Sequence, residues 1–187
     1  MNAAELTANI APTPAAYLKA ARAIEAAAGG ELRPVRVAVL STFTAEFLRP
    51  YLTVAGASRG LRIQGWFAPW GQIEQQALDP SSELYAQQPE VIVILARLEE
   101  LLPTVTGRFL AATEAAKRSA EDELRARLAA LIRGIRGQTN CPVFVSNFLP
   151  PQRLAAGEAD PALEHSETTW IGRCNACLLY TSPSPRD

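Results

Sequence analysis

The chain has 187 residues, of which 48% are hydrophobic and 20% are charged, and its formal net charge is −1. This composition is typical of one globular domain, and a near-neutral chain without a clustered basic surface argues against a nucleic-acid partner. No apolar run approaches the roughly 20 residues that cross a bilayer, and the N-terminus lacks the basic and apolar regions of a signal peptide. We therefore expect a cytoplasmic protein without a membrane partner, and the three cysteines suggest no disulfide framework.

A leading helix is predicted within residues 1–30. Thr13 is a typical N-cap, Pro14 suits the first helical turn, and apolar residues then recur at helical spacing until Gly29. The first strand follows at Val35–Leu40, a short and mostly apolar run that is typical of a strand buried on both faces.

Three further strands alternate with helical patterns. From about Thr44 a helix is expected, and Pro50 should bend it because proline removes one backbone donor. The strands are predicted from alternation and β-branched content at Leu61–Phe67, Glu90–Ala96 and Pro142–Ser146.

A long amphipathic helix precedes the fourth strand. Ser119 and Asp122 have the spacing of a capping box, and apolar residues keep helical spacing from there to Gly137. Because strands and helices alternate, the right-handed crossover rule predicts a parallel sheet with helices on both faces. The expected fold of residues 31–151 is a three-layer α/β/α sandwich of the flavodoxin-like or SGNH-hydrolase-like type.

The periodic pattern ends after the fourth strand. Residues 152–173 are polar with helix-compatible fragments, and we expect them to need a further partner before they form a full element. The stretch CLLYTSPSPRD lacks periodicity and resembles the translated read-through of a sequencing adapter, so we interpret residues 174–187 as a non-native tail. Cys174 and Cys177 form one C-x-x-C without a second pair, and no metal site is predicted there.

Polar side chains follow the predicted strands, at the positions where ligands of open parallel sheets bind. The candidates for ligand or interface contacts are Ser41, Thr42, Trp70, Arg97 and Asn147.

Ser41 has a catalytic and a structural interpretation. As a nucleophile it would need a base, and the single histidine, His165, lies in the unpatterned region and not at the short Asp-x-x-His spacing of SGNH hydrolases. As a structural group, Ser41 or Thr44 would cap the following helix. We favour capping or ligand contact over catalysis, because a nucleophile without a positioned base is weak.

The other candidates also have two interpretations each. Arg97 would either clamp a phosphate or carboxylate, or pair with Glu99 or Glu100. Asn147 would orient a ligand or cap a turn, and turn chemistry is its commoner use. Trp70 would form a binding wall, or belong to the core or a lid.

Four pieces of sequence occur in a linked order between residues 35 and 150. They are Leu40-Ser41 with Phe43-Thr44, then FLRPYL, WGQIEQQALDPSSELY and LARLEEL. In this order and spacing they resemble the N-terminal domain of FkbH-like proteins, which belong to the HAD-IIIC group associated with polyketide and other secondary-metabolite pathways.

The resemblance implies a two-domain enzyme of which this chain is one half. FkbH-like proteins couple the SGNH-like N-terminal domain to a C-terminal HAD phosphatase-like domain, which uses a D-x-D aspartate nucleophile with Mg²⁺. The family is expected to dephosphorylate a glyceryl unit derived from 1,3-bisphosphoglycerate and to load it on an acyl carrier protein. No DxDxT or DLDNT motif occurs in the chain, so the resemblance implies a truncated fragment that lacks the HAD domain and its Mg²⁺ and has no cofactor of its own.

The expected function is accessory. The domain would help to position an acyl carrier protein or its glyceryl load for the missing HAD domain, and this fragment alone would not be active. Two alternatives stay open: a stand-alone SGNH-type serine esterase with Ser41 as nucleophile and His165 as base, and a pure carrier-protein docking module.

Overall fold

The computed structural model describes residues 7, 9–27 and 32–181. Within these residues, the sheet has four parallel strands in the order β2-β1-β3-β4, which confirms the predicted parallel α/β/α fold. The strands are β1 (Arg33–Ser41), β2 (Leu61–Phe67), β3 (Val91–Leu95) and β4 (Val143–Val145).

Helices flank the sheet and connect its strands. They are α1 (Pro14–Ala26), α2 (Arg49–Ala57), α3 (Ile73–Leu78), α4 (Glu83–Ala86), α5 (Leu98–Leu101), α6 (Pro103–Thr106), α7 (Glu114–Gln138) and α8 (Glu167–Thr181). Short 3₁₀ turns occur at Glu46–Leu48, Phe109–Ala111 and Gly157–Ala162. Thr13 caps α1 as predicted, while the predicted end of that helix at Gly29 lies outside the described residues.

The main core lies between one face of the sheet and helices α7 and α8, and we call this the α7 face. Alternate residues of β1 and β3 meet the apolar stripe of α7 there, as the period of two in strands and of 3.6 in helices requires. Fully buried side chains of this core include Leu40, Ile92, Ile94, Leu124 and Ile135.

The region after β1 differs from the prediction. A 3₁₀ turn occupies Glu46–Leu48, and α2 begins only at Arg49, so Pro50 lies in the first turn of the helix. At that position the missing N–H of proline has no intrahelical partner to lose, and the fixed φ suits the helix. The predicted bend at Pro50 is therefore wrong.

The start of α7 also differs from the prediction. Thr113 is the N-cap, and its hydroxyl accepts a hydrogen bond from the amide of Ala116 at 3.2 Å. The capping box predicted at Ser119 is wrong, because Thr113 supplies the same chemistry earlier and Ser119 lies inside the helix.

Residues 152–181 form more structure than their sequence indicates. Asp160 is fully buried, and its carboxylate accepts hydrogen bonds from the amides of Glu167 (2.8 Å) and Thr168 (3.2 Å) at the start of α8. Burial by itself raises the pKa of Asp160, but the hydrogen bonds from Thr168 and Glu167 outweigh it and the pKa is lowered. Asp160 thus anchors α8, which packs on α7.

Helix α8 continues across the predicted boundary at residue 174. Trp170, Ile171 and Cys174 are buried in the core on the α7 face, and Cys177 is buried as well. The interpretation of residues 174–187 as non-native stays a prediction, and residues 182–187 lie outside the described residues.

Candidate functional site

The carboxyl ends of the strands lie level with one another, so the polar residues that follow them share one edge of the sheet. Backbone bonds continue the ladder past the strands: the amide of Thr42 donates to the carbonyl of Leu95 (3.1 Å), and that of Ser146 to Ile94 (3.0 Å). We call this region the carboxyl edge.

Thr42 connects three strand ends at the carboxyl edge. Its hydroxyl accepts a hydrogen bond from the amide of Arg97 after β3 at 2.9 Å, and its carbonyl accepts one from Nε1 of Trp70 after β2 at 2.7 Å. Thr42 itself is buried, and both hydrogen bonds are partly buried. Three of the predicted residues are thereby brought together.

Ser41 is buried and its hydroxyl is used locally. The Ser41 Oγ donates to the carbonyl of Phe43 (2.6 Å) and accepts from the amide of the same residue (3.0 Å), which closes a tight turn. Neither the 3₁₀ turn at Glu46–Leu48 nor α2 has a side-chain cap, so the predicted capping by Ser41 or Thr44 is wrong.

His165 is exposed and contacts the start of α7. Its Nδ1 lies 3.7 Å from the Glu114 carboxylate, which also accepts a hydrogen bond from Lys117. The Lys117 ammonium is the main reason that the pKa of Glu114 is lowered, and His165 adds to it. The described hydrogen bonds and ion pairs do not join His165 to Ser41.

Arg97 and Trp70 present their side chains to solvent at the carboxyl edge. The Arg97 guanidinium lies 3.3 Å from the Glu99 carboxylate, and 57% of its side chain is exposed. An ion pair at this exposure is weak, so the guanidinium can exchange Glu99 for another anion. Trp70 is 66% exposed although its Nε1 is bonded, so its ring offers a flat apolar surface at the same edge of the sheet as Arg97.

Asn147 is exposed beside an anchored residue. The next residue, Phe148, is buried, and its amide and carbonyl form hydrogen bonds of 2.7 and 2.9 Å with the side chain of Asn175 in α8. Asn175 was missed in the sequence because it lies in residues 174–187, which were interpreted as a non-native tail. It holds the loop that carries Asn147 in place.

A cavity of about 390 Å³ opens beside the edge strand β2. Its lining includes Arg36, Arg49, Gln64, Trp66 and Gln87, and none of the five carboxyl-edge candidates. Sequence reasoning missed this cavity because its walls come from segments that are distant in the chain.

Metal-ligating side chains do not cluster in the described part of the chain. No cluster of three or more His, Cys, Asp or Glu residues there could hold a metal ion. Burial raises the pKa of the Cys174 thiol to about 12, so it is protonated at neutral pH.

Among the helices that the structure describes, none is sufficiently long and apolar for a membrane span.

Sequence comparison relates this architecture to a known family. The family model for FkbH, N-terminal domain, matches residues 36–150. The chain belongs to the FkbH N-terminal domain family. The match includes all five carboxyl-edge candidates of this FkbH N-terminal domain, whereas α8 lies beyond it.

A solved structure has a similar fold. It is the crystal structure of the N-terminal part of a Bacteroides fragilis protein that contains a phosphatase domain complexed with Mg. The TM-score is 0.60 at 19% sequence identity, and the similarity covers 96% of this chain and 42% of the other. The FkbH N-terminal domain described here thus spans less than half the length of that neighbour. No curated protein matches the chain in sequence.

Proposed function

We propose that this FkbH N-terminal domain is the accessory domain of a HAD-IIIC phosphatase-like enzyme. The complete enzyme would load a glyceryl unit derived from 1,3-bisphosphoglycerate on an acyl carrier protein. Its Mg²⁺ and catalytic aspartates would belong to a C-terminal HAD-type domain, while the domain described here positions the carrier protein. Family membership supports the proposal, as does the phosphatase domain of the longer structural neighbour.

The observation that carries the proposal is that Arg97 and Trp70 are both held by Thr42 at the carboxyl edge. Thr42 bonds the backbone of Arg97 and the indole of Trp70, yet both side chains project into solvent. A carrier protein brings a phosphopantetheine arm, which has one phosphodiester and a partly apolar chain. The guanidinium suits the phosphate and the indole surface suits the arm.

The hydrogen bonding of the Ser41 hydroxyl agrees with a binding role for the domain and not with a serine nucleophile. A serine nucleophile transfers its proton to a nearby base, whereas the Ser41 hydroxyl donates to the carbonyl of Phe43, which cannot accept a proton for catalysis. Under this proposal Ser41 shapes the turn that presents Thr42.

Titration of the chain with phosphopantetheine-loaded acyl carrier protein tests the proposal. We expect Arg97→Ala to raise the Kd about fivefold, which corresponds to about 1 kcal/mol for an exposed charge contact. Trp70→Ala should also weaken binding. Arg59→Ala is the matched control, because Arg59 is an exposed arginine just before β2, at the opposite edge of the sheet.

Two results would contradict the proposal. Binding that is equal in the parent, Arg97→Ala and Trp70→Ala would indicate a docking module that does not use the carboxyl edge. Labelling by a fluorophosphonate probe that disappears in Ser41→Ala would instead support the serine esterase.

A further inference from the structure

The sheet face opposite the α7 face carries an apolar row that crosses all four described strands. We call this the α2 face. The strand register places Phe67, Val39, Val93 and Phe144 side by side on neighbouring strands. Val39 is only 2% exposed, Val93 is half-buried, and Phe144 is 60% exposed. Burial on this face therefore decreases from β1 towards β4.

The decrease follows from where the covering helices lie. Helix α2 packs closely on β2, since a Cβ on Gly56 would lie 2.5 Å from a side-chain carbon of Ile63. Helix α1 packs on α2, with Ala21 and Ile24 against Val54. This two-helix layer lies at the β2 side of the face and leaves β3 and β4 less covered.

The two faces of β3 differ sharply as a result. Ile92 and Ile94 on the α7 face are fully buried. The alternate residues on the α2 face are only half-buried, and together with the exposed Phe144 they form what we call the β3–β4 patch: Val91, Val93, Leu95 and Phe144. Contiguous apolar surface of this kind usually marks an interaction site.

We propose that the HAD-type catalytic domain of the same polypeptide covers the β3–β4 patch. This inference rests on the proposed function and adds the surface through which the two domains meet. The similar solved structure is more than twice as long as the part that aligns with this chain, and it contains a phosphatase domain. A linked domain meets its partner at high effective concentration, so a modest apolar patch is sufficient.

The chemistry of the patch favours this occupant over the carrier protein. A carrier protein must dissociate after loading, and transient interfaces are less apolar than permanent ones. One cation on this face, Arg49, is already used. Its guanidinium lies 4.7 Å from the centre of the Phe67 ring and donates to the carbonyl of Gly65 at 2.6 Å. The patch therefore presents valine, leucine and phenylalanine to an apolar and lasting partner.

Hydroxyl-radical footprinting with mass spectrometry measures this contact directly. One sample is the 187-residue chain. The other is the full-length protein, expressed from the gene as sequenced in source DNA onwards from the codon of residue 173. Phe144 is the probe, and Leu110 is its matched control because they are 60% and 61% exposed and Leu110 follows Phe109 of the α7-face core. We expect oxidation of Phe144 to fall about fivefold in the full-length protein as the ring becomes buried, with Leu110 unchanged.

The outcomes separate this inference from the proposed function. If the gene continues into a HAD-type domain but Phe144 is oxidised equally in both samples, the inference is wrong and the proposed function stands. If the gene has no such domain, both fail. If analytical ultracentrifugation shows that the 187-residue chain dimerises and Phe144→Glu abolishes the dimer, a second copy covers the patch and the inference is overturned.

A substitution in the full-length protein provides a second readout. Phe144→Glu should separate the two domains and increase the radius of gyration in small-angle X-ray scattering, because a carboxylate in an apolar interface loses its hydration. Leu110→Glu should leave the radius unchanged. An equal radius in both variants would contradict the proposed interface.

Discussion

Trp170→Ala tests whether α8 belongs to the same cooperative unit as the sheet. Trp170 is 1% exposed, its ring centre lies 5.5 Å from that of Phe109, and its Nε1 is 3.5 Å from the carbonyl of Lys117. A buried tryptophan removes about 150–250 Å² from water, worth about 4–6 kcal/mol at about 25 cal/mol per Å². Core substitutions of this type cost about 3–5 kcal/mol, and the long hydrogen bond adds little. We therefore expect the free energy of unfolding to fall by about 3–5 kcal/mol.

The assay is guanidinium denaturation of the chain, followed by far-UV circular dichroism. Trp70→Ala is the matched control, because Trp70 is 66% exposed and loses mainly one hydrogen bond to Thr42. That loss should cost about 1 kcal/mol or less. The control separates the effect of the buried site from the general effect of removing an indole.

The reasoning would be refuted if both variants shifted the denaturation midpoint equally and the slope of the transition did not change. In that case Trp170 would contribute no more than an exposed tryptophan. Residues 152–181 would then not be part of the folded unit. That result would agree with the sequence-based expectation that residues 152–173 need a further partner before they form a full element.

Three further predictions concern close packing, acid stability and thiol reactivity. Gly56→Ala should destabilise the protein by about 1–3 kcal/mol in the same assay, because its Cβ would overlap β2. Gly137→Ala should stabilise the protein by about 0.5–1 kcal/mol, because no atom lies within 4 Å of the added Cβ. The opposite order would contradict the packing of α2. Because the pKa of Asp160 is lowered in the folded state, its ionised carboxylate stabilises the fold at pH values above the unfolded-state pKa. This stabilisation is lost as the pH falls through the folded-state pKa. The thermal midpoint of the parent chain should thus fall on acidification. The midpoint of Asp160→Asn should be lower at pH 7 and should fall less as the pH decreases. Parallel curves of midpoint against pH for the two proteins would argue against the cap. Iodoacetamide at pH 8 should modify the half-buried Cys141 first and Cys174 only after unfolding, and early loss of the Cys174 thiol by mass spectrometry would contradict its burial.

The strands were predictable because each is a short β-branched or alternating run between turn residues. The second strand was predicted at its observed bounds, and the third, predicted at Glu90–Ala96, is observed at Val91–Leu95. The start of α7 was misplaced because Thr113 and Ser119 are both capable of capping, and local sequence does not decide which one the chain uses.

The α8 segment was missed for a different reason. Trp170, Cys174, Cys177 and Leu178 are spaced for one face of a helix, so a periodic signal was present. Cys177 and Leu178, however, are the first two residues of the stretch that resembles adapter sequence. The cap of the helix comes from Asp160, seven residues before the amide that it binds, and not from the adjacent N-cap position where such a residue is normally sought.

The sequence by itself determined the strands, the parallel α/β class and the family, since these depend on local periodicity and on motifs in linear order. It also placed Ser41, Thr42 and Arg97 at strand ends. Only the tertiary structure decided their partners, because the bond between Thr42 and Arg97 joins residues 55 positions apart, and its geometry depends on the strand register. The same holds for the β3–β4 patch. Both faces of β3 are equally apolar in sequence, and their difference arises from which helices fold onto each side.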